Sequence, residues 1–136
     1  MKKQIILIVF MLTLPLLFWA CSSSSENSGK LKLTGTTRYF EKIYLGDDAD
    51  LVVKLIEEKA TGAENVIAEK LYKMVSTPPI PFEIEYPAVT TMDVKKLRVK
   101  TIVLWYGEPK FESDDNIYFT PGTKDTLNLI MHHVKD

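Results

Sequence analysis

The sequence predicts an all-β domain, a small antiparallel β-sandwich of about seven to eight strands, and three observations predict it. Between Lys30 and Asp136, apolar and polar residues alternate with a period of two in one short run after another. Gly, Pro, Asp and Asn separate these runs and supply turn chemistry at short intervals. The segment is 107 residues long, enough for one hydrophobic core and not for two.

The first run sets Leu31, Leu33, Gly35, Thr37 and Tyr39 against Lys32, Thr34, Thr36 and Arg38, which gives a half-buried strand. Gly46-Asp47-Asp48-Ala49-Asp50 is a turn. Leu51, Val53 and Leu55 then share one face, with Val52, Lys54 and Ile56 on the other, and Thr61-Gly62-Ala63 breaks the pattern. The next segment is ambiguous. Val66, Ile67, Lys70, Leu71, Met74 and Val75 fall at helical spacing within residues rich in helix formers, so local reasoning favours a helix there.

Pro78-Pro79-Ile80-Pro81 is extended and unsuited to a central strand. Phe82, Ile84 and Tyr86 alternate with Glu83 and Glu85, and Pro87 ends that strand. Thr91 to Lys96 reads as one helical turn. From Leu97 to Tyr106 both alternating sets become apolar after Thr101, which places this strand in the middle of the domain. Gly107-Glu108-Pro109 turns the chain. Lys110–Ser113 and Ile117–Thr120 are short strands, Pro121-Gly122 is a turn, and Leu127, Leu129 and Met131 belong to a last strand.

The chain before this domain has a different character. Met1-Lys2-Lys3-Gln4 is basic, and Ile5 to Phe18 is nearly all apolar. A positive start, a short apolar core and a small residue at the exit are the parts of a secretory signal. Ile5 to Ala20 extends about 24 Å as a helix, short of a hydrocarbon core of about 30 Å, and Pro15 interrupts it, so a removed signal is favoured over a retained anchor. Phe18-Trp19-Ala20-Cys21 resembles a bacterial lipobox, with Phe18 where Leu is usual, cleavage between Ala20 and Cys21, and diacylglycerol on the Cys21 thiol.

Cys21 is the single cysteine, so no internal disulfide or thiolate metal cage is available, and lipidation accounts for an exported thiol. Ser22 to Gly29 contains no apolar residue and reads as a tether reaching at most about 28 Å. The expected organisation is a signal peptide over 1–20, a lipidated Cys21 with its tether over 21–29, and a β-domain over 30–136. Without the signal, 15 basic residues face 18 acidic ones, for a net charge of −3. That balance argues against nucleic acid as a partner and against strong electrostatic docking on anionic lipid.

Candidates for chemistry are few. His132-His133 are neighbours on a strand and point to opposite faces, a poor arrangement for holding one metal ion together. Asp47-Asp48-Ala49-Asp50 lacks the spaced Gly and distal Glu of a calcium loop. Asp114-Asp115-Asn116 reads as a solvated turn. Glu83 and Glu85 share one strand face and read as solvated, and no serine outside the tether has a base at recognisable spacing. No catalytic residue, cofactor or metal site is assigned. Met74, Met92 and Met131, with Tyr72, Tyr86, Trp105 and Tyr106, exceed what one face of a thin sandwich hides. Tyr72, Met74, Trp105 and Tyr106 are the candidate partner-binding residues, because Met and aromatic side chains adapt to a peptide helix or strand.

Gly35 to Tyr44, Ala49-Asp50-Leu51-Val52-Val53-Lys54-Leu55, Val66-Ile67-Ala68-Glu69, Pro79-Ile80-Pro81-Phe82-Glu83-Ile84-Glu85-Tyr86 and Leu97-Arg98-Val99-Lys100 run in one order. In that order the chain resembles the YscW/YbaY family, the pilotin lipoproteins of type III secretion and their uncharacterised relatives. The resemblance implies a small β-sandwich, and therefore a strand across Val66 to Val75. It also implies a non-enzymatic assembly chaperone, anchored by lipid at the outer membrane and facing the periplasm, whose client is the tail of a secretin subunit. Ser22 after the cysteine is similar to the residue found in lipoproteins sorted to the outer membrane. The alternative is a housekeeping envelope lipoprotein with a structural or small-ligand-binding role.

Overall fold

Alternation carries through to a curved, nearly closed sheet. The computed structural model describes residues 29–75, 77–88 and 94–135. The strands are β1 (Lys30–Arg38), β2 (Ala49–Lys59), β3 (Glu64–Tyr72), β4 (Ile80–Pro87), β5 (Val94–Trp105), β6 (Glu108–Ser113), β7 (Tyr118–Phe119) and β8 (Leu127–His133). A single 3-10 turn, Gly46–Asp48, joins the loop after β1 to β2, and no α-helix occurs among the described residues. Cys21, Ala20, the tether through Ser28, and Met92 lie outside the described residues.

The strands follow the order β3-β2-β5-β6-β8-β1-β4, with β7 paired to β5. Every neighbouring pair is antiparallel except β1 and β8, which run parallel from Gly35 opposite Leu127 to Arg38 opposite Ile130. As expected, the strand through Leu97–Trp105 is central: β5 pairs with β2 on one side and with β6 and β7 on the other. The ambiguous segment is strand β3, paired with β2 from Leu51–Tyr72 to Glu58–Glu64. Its helical spacing loses because cross-strand pairing to a buried neighbour outweighs local propensity, which is a weak prior. The helical turn expected at Thr91–Lys96 is not found where it is described, since Val94 to Lys96 already belong to β5 and pair with the end of β2. Residues 91–93 lie outside the described residues.

The inward set is apolar and fully buried: Leu33 on β1, Leu51, Val53 and Leu55 on β2, Ile84 and Tyr86 on β4, Val99 and Val103 on β5, Phe111 on β6, and Met131 on β8. Gly35 faces the same interior because the Phe82 ring lies across it; a Cβ there would come within 2.4 Å of that ring. Tyr39 and Phe111 stack in parallel with centroids 4.2 Å apart. One polar cluster crosses this core. The Thr37 and Thr101 hydroxyls are 3.0 Å apart, and the Thr101 amide donates to Ser113 Oγ at 3.0 Å. All three side chains are buried, so each polar atom needs the partner it has.

The sheet closes through side chains rather than a ladder. At the seam between the terminal strands β3 and β4, the Glu83 amide donates to the Tyr72 hydroxyl at 2.7 Å, and that hydroxyl donates to the Glu83 carbonyl. Lys70 Nζ donates to the same carbonyl at 2.9 Å. The peptide groups of Pro81, Glu83, Glu85 and Pro87 face this edge, and the two prolines have no N–H to offer, so the edge presents little to a foreign strand.

Candidate partner-binding site

Strand directions give the molecule two unlike ends. The chain enters at Gly29, whose carbonyl accepts from the Ala88 amide at 3.1 Å. At this entry end the Tyr86 and Phe119 rings meet edge to face, and the Tyr86 hydroxyl accepts from the Gly122 amide at 3.1 Å. The opposite end is built from three connections: residues 39–48 between β1 and β2, 73–79 between β3 and β4, and the Tyr106-Gly107 turn between β5 and β6.

A cavity of about 260 Å³ opens at that far end. Its lining includes the buried side chains of Tyr39, Leu45, Ala49, Ile80 and Val103, with Tyr44, Met74 and Thr77 around the mouth. Tyr44 is 78% exposed, Met74 69% and Tyr106 69%. Of the nine exposed large apolar side chains among the described residues, five (Phe40, Ile43, Tyr44, Met74 and Tyr106) stand on these three connections. Such clustering is unlike the scattered exposure of single apolar residues that is normal on surfaces.

Short-range bonds hold the rim in one shape. Trp105 Nε1 donates to the Leu45 carbonyl at 3.1 Å, the Tyr106 amide to the Asp48 carbonyl at 3.2 Å, and the Val75 amide to the Ala49 carbonyl at 2.8 Å. Asp50 gathers the β3–β4 connection, accepting from Lys73 Nζ at 2.9 Å and from the Met74 amide at 3.1 Å. The Lys73 hydrogen bond in particular holds the Asp50 carboxyl below the ordinary carboxylate range. Burial, with a smaller contribution from Glu41, pushes the Tyr39 phenol up. The Asp48 carboxylate raises Tyr106 by accepting its hydroxyl proton.

Three of the four residues singled out for binding are brought together here. Met74 is at the mouth, Trp105 is half-buried beneath the 39–48 loop with Lys110 Nζ 5.5 Å from its ring, and Tyr106 leans against Trp105 at 5.2 Å. Tyr72 lies apart, in the β3–β4 seam. Sequence reasoning missed Tyr39, Phe40, Ile43, Tyr44 and Asp47. Their signal was present: five apolar residues among the seven from Tyr39 to Leu45, in a segment that leads to a turn rather than a strand.

The remaining sequence candidates sit elsewhere. His132 Nε2 is 4.0 Å from Asp114, while the His133 ring meets Phe111 edge to face. Among the described residues no group of three or more His, Cys, Asp or Glu side chains gathers as a metal site would require. Glu83 and Glu85 are exposed, and Glu83 pairs with Lys32 at 3.0 Å. Asp115 pairs with Lys100 at 2.6 Å, which holds its carboxyl low. No described helix is long and apolar enough to cross a membrane.

Residues 28–131 match the family described as the type III secretion system lipoprotein chaperone, YscW. The chain belongs to this family. A solved structure of an alternative pilotin from the type II secretion system of Vibrio cholerae is similar with a TM-score of 0.66 at 20% identity, covering 79% of this chain and 99% of that one. Likeness at that identity shows a shared fold. No curated protein matches the chain. The YscW family is described as one of chaperones, and the eight strands of this chain fit the all-β class read from alternation.

Proposed function

We propose that this protein is a lipid-anchored pilotin: an outer-membrane assembly chaperone, without enzymatic activity, that binds a secretin subunit tail and holds it at the periplasmic face of the membrane. One observation carries the reading within the family. The tethered end and the exposed apolar end are opposite, so a module fixed through Cys21 and Ser22–Gly29 turns its adhesive rim away from its own anchor and towards a client. Membership of a family of secretion lipoprotein chaperones supports the same role, and so does the fold shared with a type II pilotin. The two names span two secretion systems; the proposed client is therefore stated as a secretin tail without a system attached.

Three measurements test it together. Mass spectrometry of the native protein is expected to find an acylated Cys21 as the first residue, and envelope fractionation to place it in the outer membrane. Pulldown is expected to enrich a secretin with both the native chain and Cys21→Ser, while secretin assembly at the outer membrane fails with Cys21→Ser. Pulldowns that never enrich a secretin would leave the housekeeping lipoprotein as the better description, and an unmodified amino terminus would overturn both readings.

A further inference from the structure

We infer that the cavity at the far end of the barrel is a client's seat, taking one large aliphatic or aromatic side chain carried beside a basic residue. The inference rests on the pilotin reading for the client's identity and on geometry for the site. A volume of about 260 Å³ falls below the roughly 300–1,000 Å³ typical of small-molecule sites, so it suits an anchoring side chain better than a free ligand of drug size. Its floor is built from the buried side chains of Tyr39, Ala49, Ile80 and Val103, while polar atoms form much of the wall it exposes. The charged residue in its lining is Asp47, at the exposed mouth, which selects a cation next to the anchor rather than an acid.

Backbone conformation is an independent observation. Among the described residues, two non-glycine residues adopt positive φ, Met74 at 50° and Tyr106 at 51°. Both stand at this end, and both hold a large apolar side chain in water. At Tyr106-Gly107 the two-residue hairpin itself demands positive φ at both positions, and Asn, Asp or Gly is the residue that geometry favours. A bulky residue in this region is strained, and such strain concentrates at binding sites. The Tyr106 ring rests on Trp105 and its hydroxyl on Asp48, whereas Met74 stands free of the core; contact with a partner is the role that would use both exposed faces. The hydrogen bonds that pin the rim leave little to be ordered on binding.

Nuclear magnetic resonance on the soluble mature chain, begun at Ser22 so that neither signal nor lipid is present, tests site and client separately. The first probes are indole and isobutanol, the side-chain fragments of Trp and Leu. They are expected to give saturable shifts at the amides of Ala49, Val75 and Ile80, which vanish when the exposed Thr77 is replaced in Thr77→Trp. Fragments that never saturate, or that seat on the outer sheet face, overturn the site. The second probe is a synthetic peptide of the secretin's C-terminal tail from the source cell. Binding is expected to weaken about tenfold or more in Met74→Gly and in Tyr106→Gly, although both variants unfold at the same temperature as the parent or higher. In Asp47→Asn it weakens a few-fold and loses part of its salt dependence. A peptide that binds all variants equally overturns the site and spares the pilotin reading. If the fragments seat and the peptide does not bind, the site stands and the secretin client is wrong.

Discussion

The two ends of the barrel are made from the same kinds of strand and finished in opposite ways. At the entry end, Tyr86 is fully buried, its ring packs on Phe119, and its hydroxyl is satisfied by the Gly122 amide. The loops around it, such as Ala60-Thr61-Gly62-Ala63 and Thr120 to Asp125, are polar or small and mostly exposed. At the far end the aromatic side chains of Phe40, Tyr44 and Tyr106 point into water around an open cavity. One end is closed by packed and hydrogen-bonded rings, and the other leaves its rings exposed. The contrast teaches that exposed aromatic residues here are not a failure to fill the core, because the same chain fills it completely a few residues away.

Breaking the shared core should erase the contrast altogether. Phe111→Ala removes a fully buried ring and the partner of the Tyr39 stack beneath the far cavity. A loss of about 3–5 kcal/mol is expected in urea denaturation. Thr37→Val is the next largest. It leaves the Thr101 hydroxyl without the partner it has at 3.0 Å, for about 1–3 kcal/mol by the same measurement. Replacing both threonines by valine is expected to recover most of that loss, because no orphaned hydroxyl remains.

The seam gives a smaller and more specific effect. Tyr72→Phe removes the hydroxyl that serves both the amide and the carbonyl of Glu83, and should cost about 1 kcal/mol while uncovering the β4 edge. Hydrogen exchange at the Glu83 amide is expected to be faster in this variant than in the parent. Acid weakens one tie at the far end. Asp50 has its folded pKa lowered, chiefly by Lys73, so its contribution is complete above the ordinary carboxylate range and is lost as pH falls through its folded value. Hydrogen exchange at the Met74 amide should therefore accelerate below about pH 4, and Asp50→Asn should remove that pH dependence.

Tyr106→Asn is the smallest of these effects and the one that sharpens the comparison most. It replaces a strained residue by one the turn prefers, and a rise of a few degrees in thermal midpoint is expected, with weaker client binding. The same exchange of a native side chain at Tyr86 should only destabilise.

Much of this molecule was legible along the chain because its evidence is local. Alternation at Leu31–Tyr39, Leu51–Leu55, Phe82–Tyr86 and Leu97–Trp105 reports which face of each strand is buried, and burial follows it, on β2 until Ile56, which is buried beside Leu55. Residues 63–75 were harder, since good helix formers lie there at helical spacing, and the pairing that makes Glu64–Tyr72 a strand, ending short of Val75, is supplied by β2. How the candidate residues group in space was half legible. Composition drew attention to Met74, Trp105 and Tyr106, but Tyr72 carries a structural hydrogen bond across the seam, and the apolar loop from Tyr39 to Leu45 was passed over because it belongs to no strand.

By itself, then, the amino-acid order determined the class of the fold, the central place of β5 and the inward residues, all of which depend on side-chain chemistry read two positions at a time. Only the tertiary structure decided that β1 lies parallel to β8, that β3 meets β4 through a tyrosine hydroxyl, and that Tyr39, Ala49, Ile80 and Val103 enclose one cavity. Those facts rest on which strands become neighbours, and pairing between strands, whether 11 residues apart as at Tyr72 and Glu83 or far more as between β1 and β8, leaves no periodic trace in the sequence.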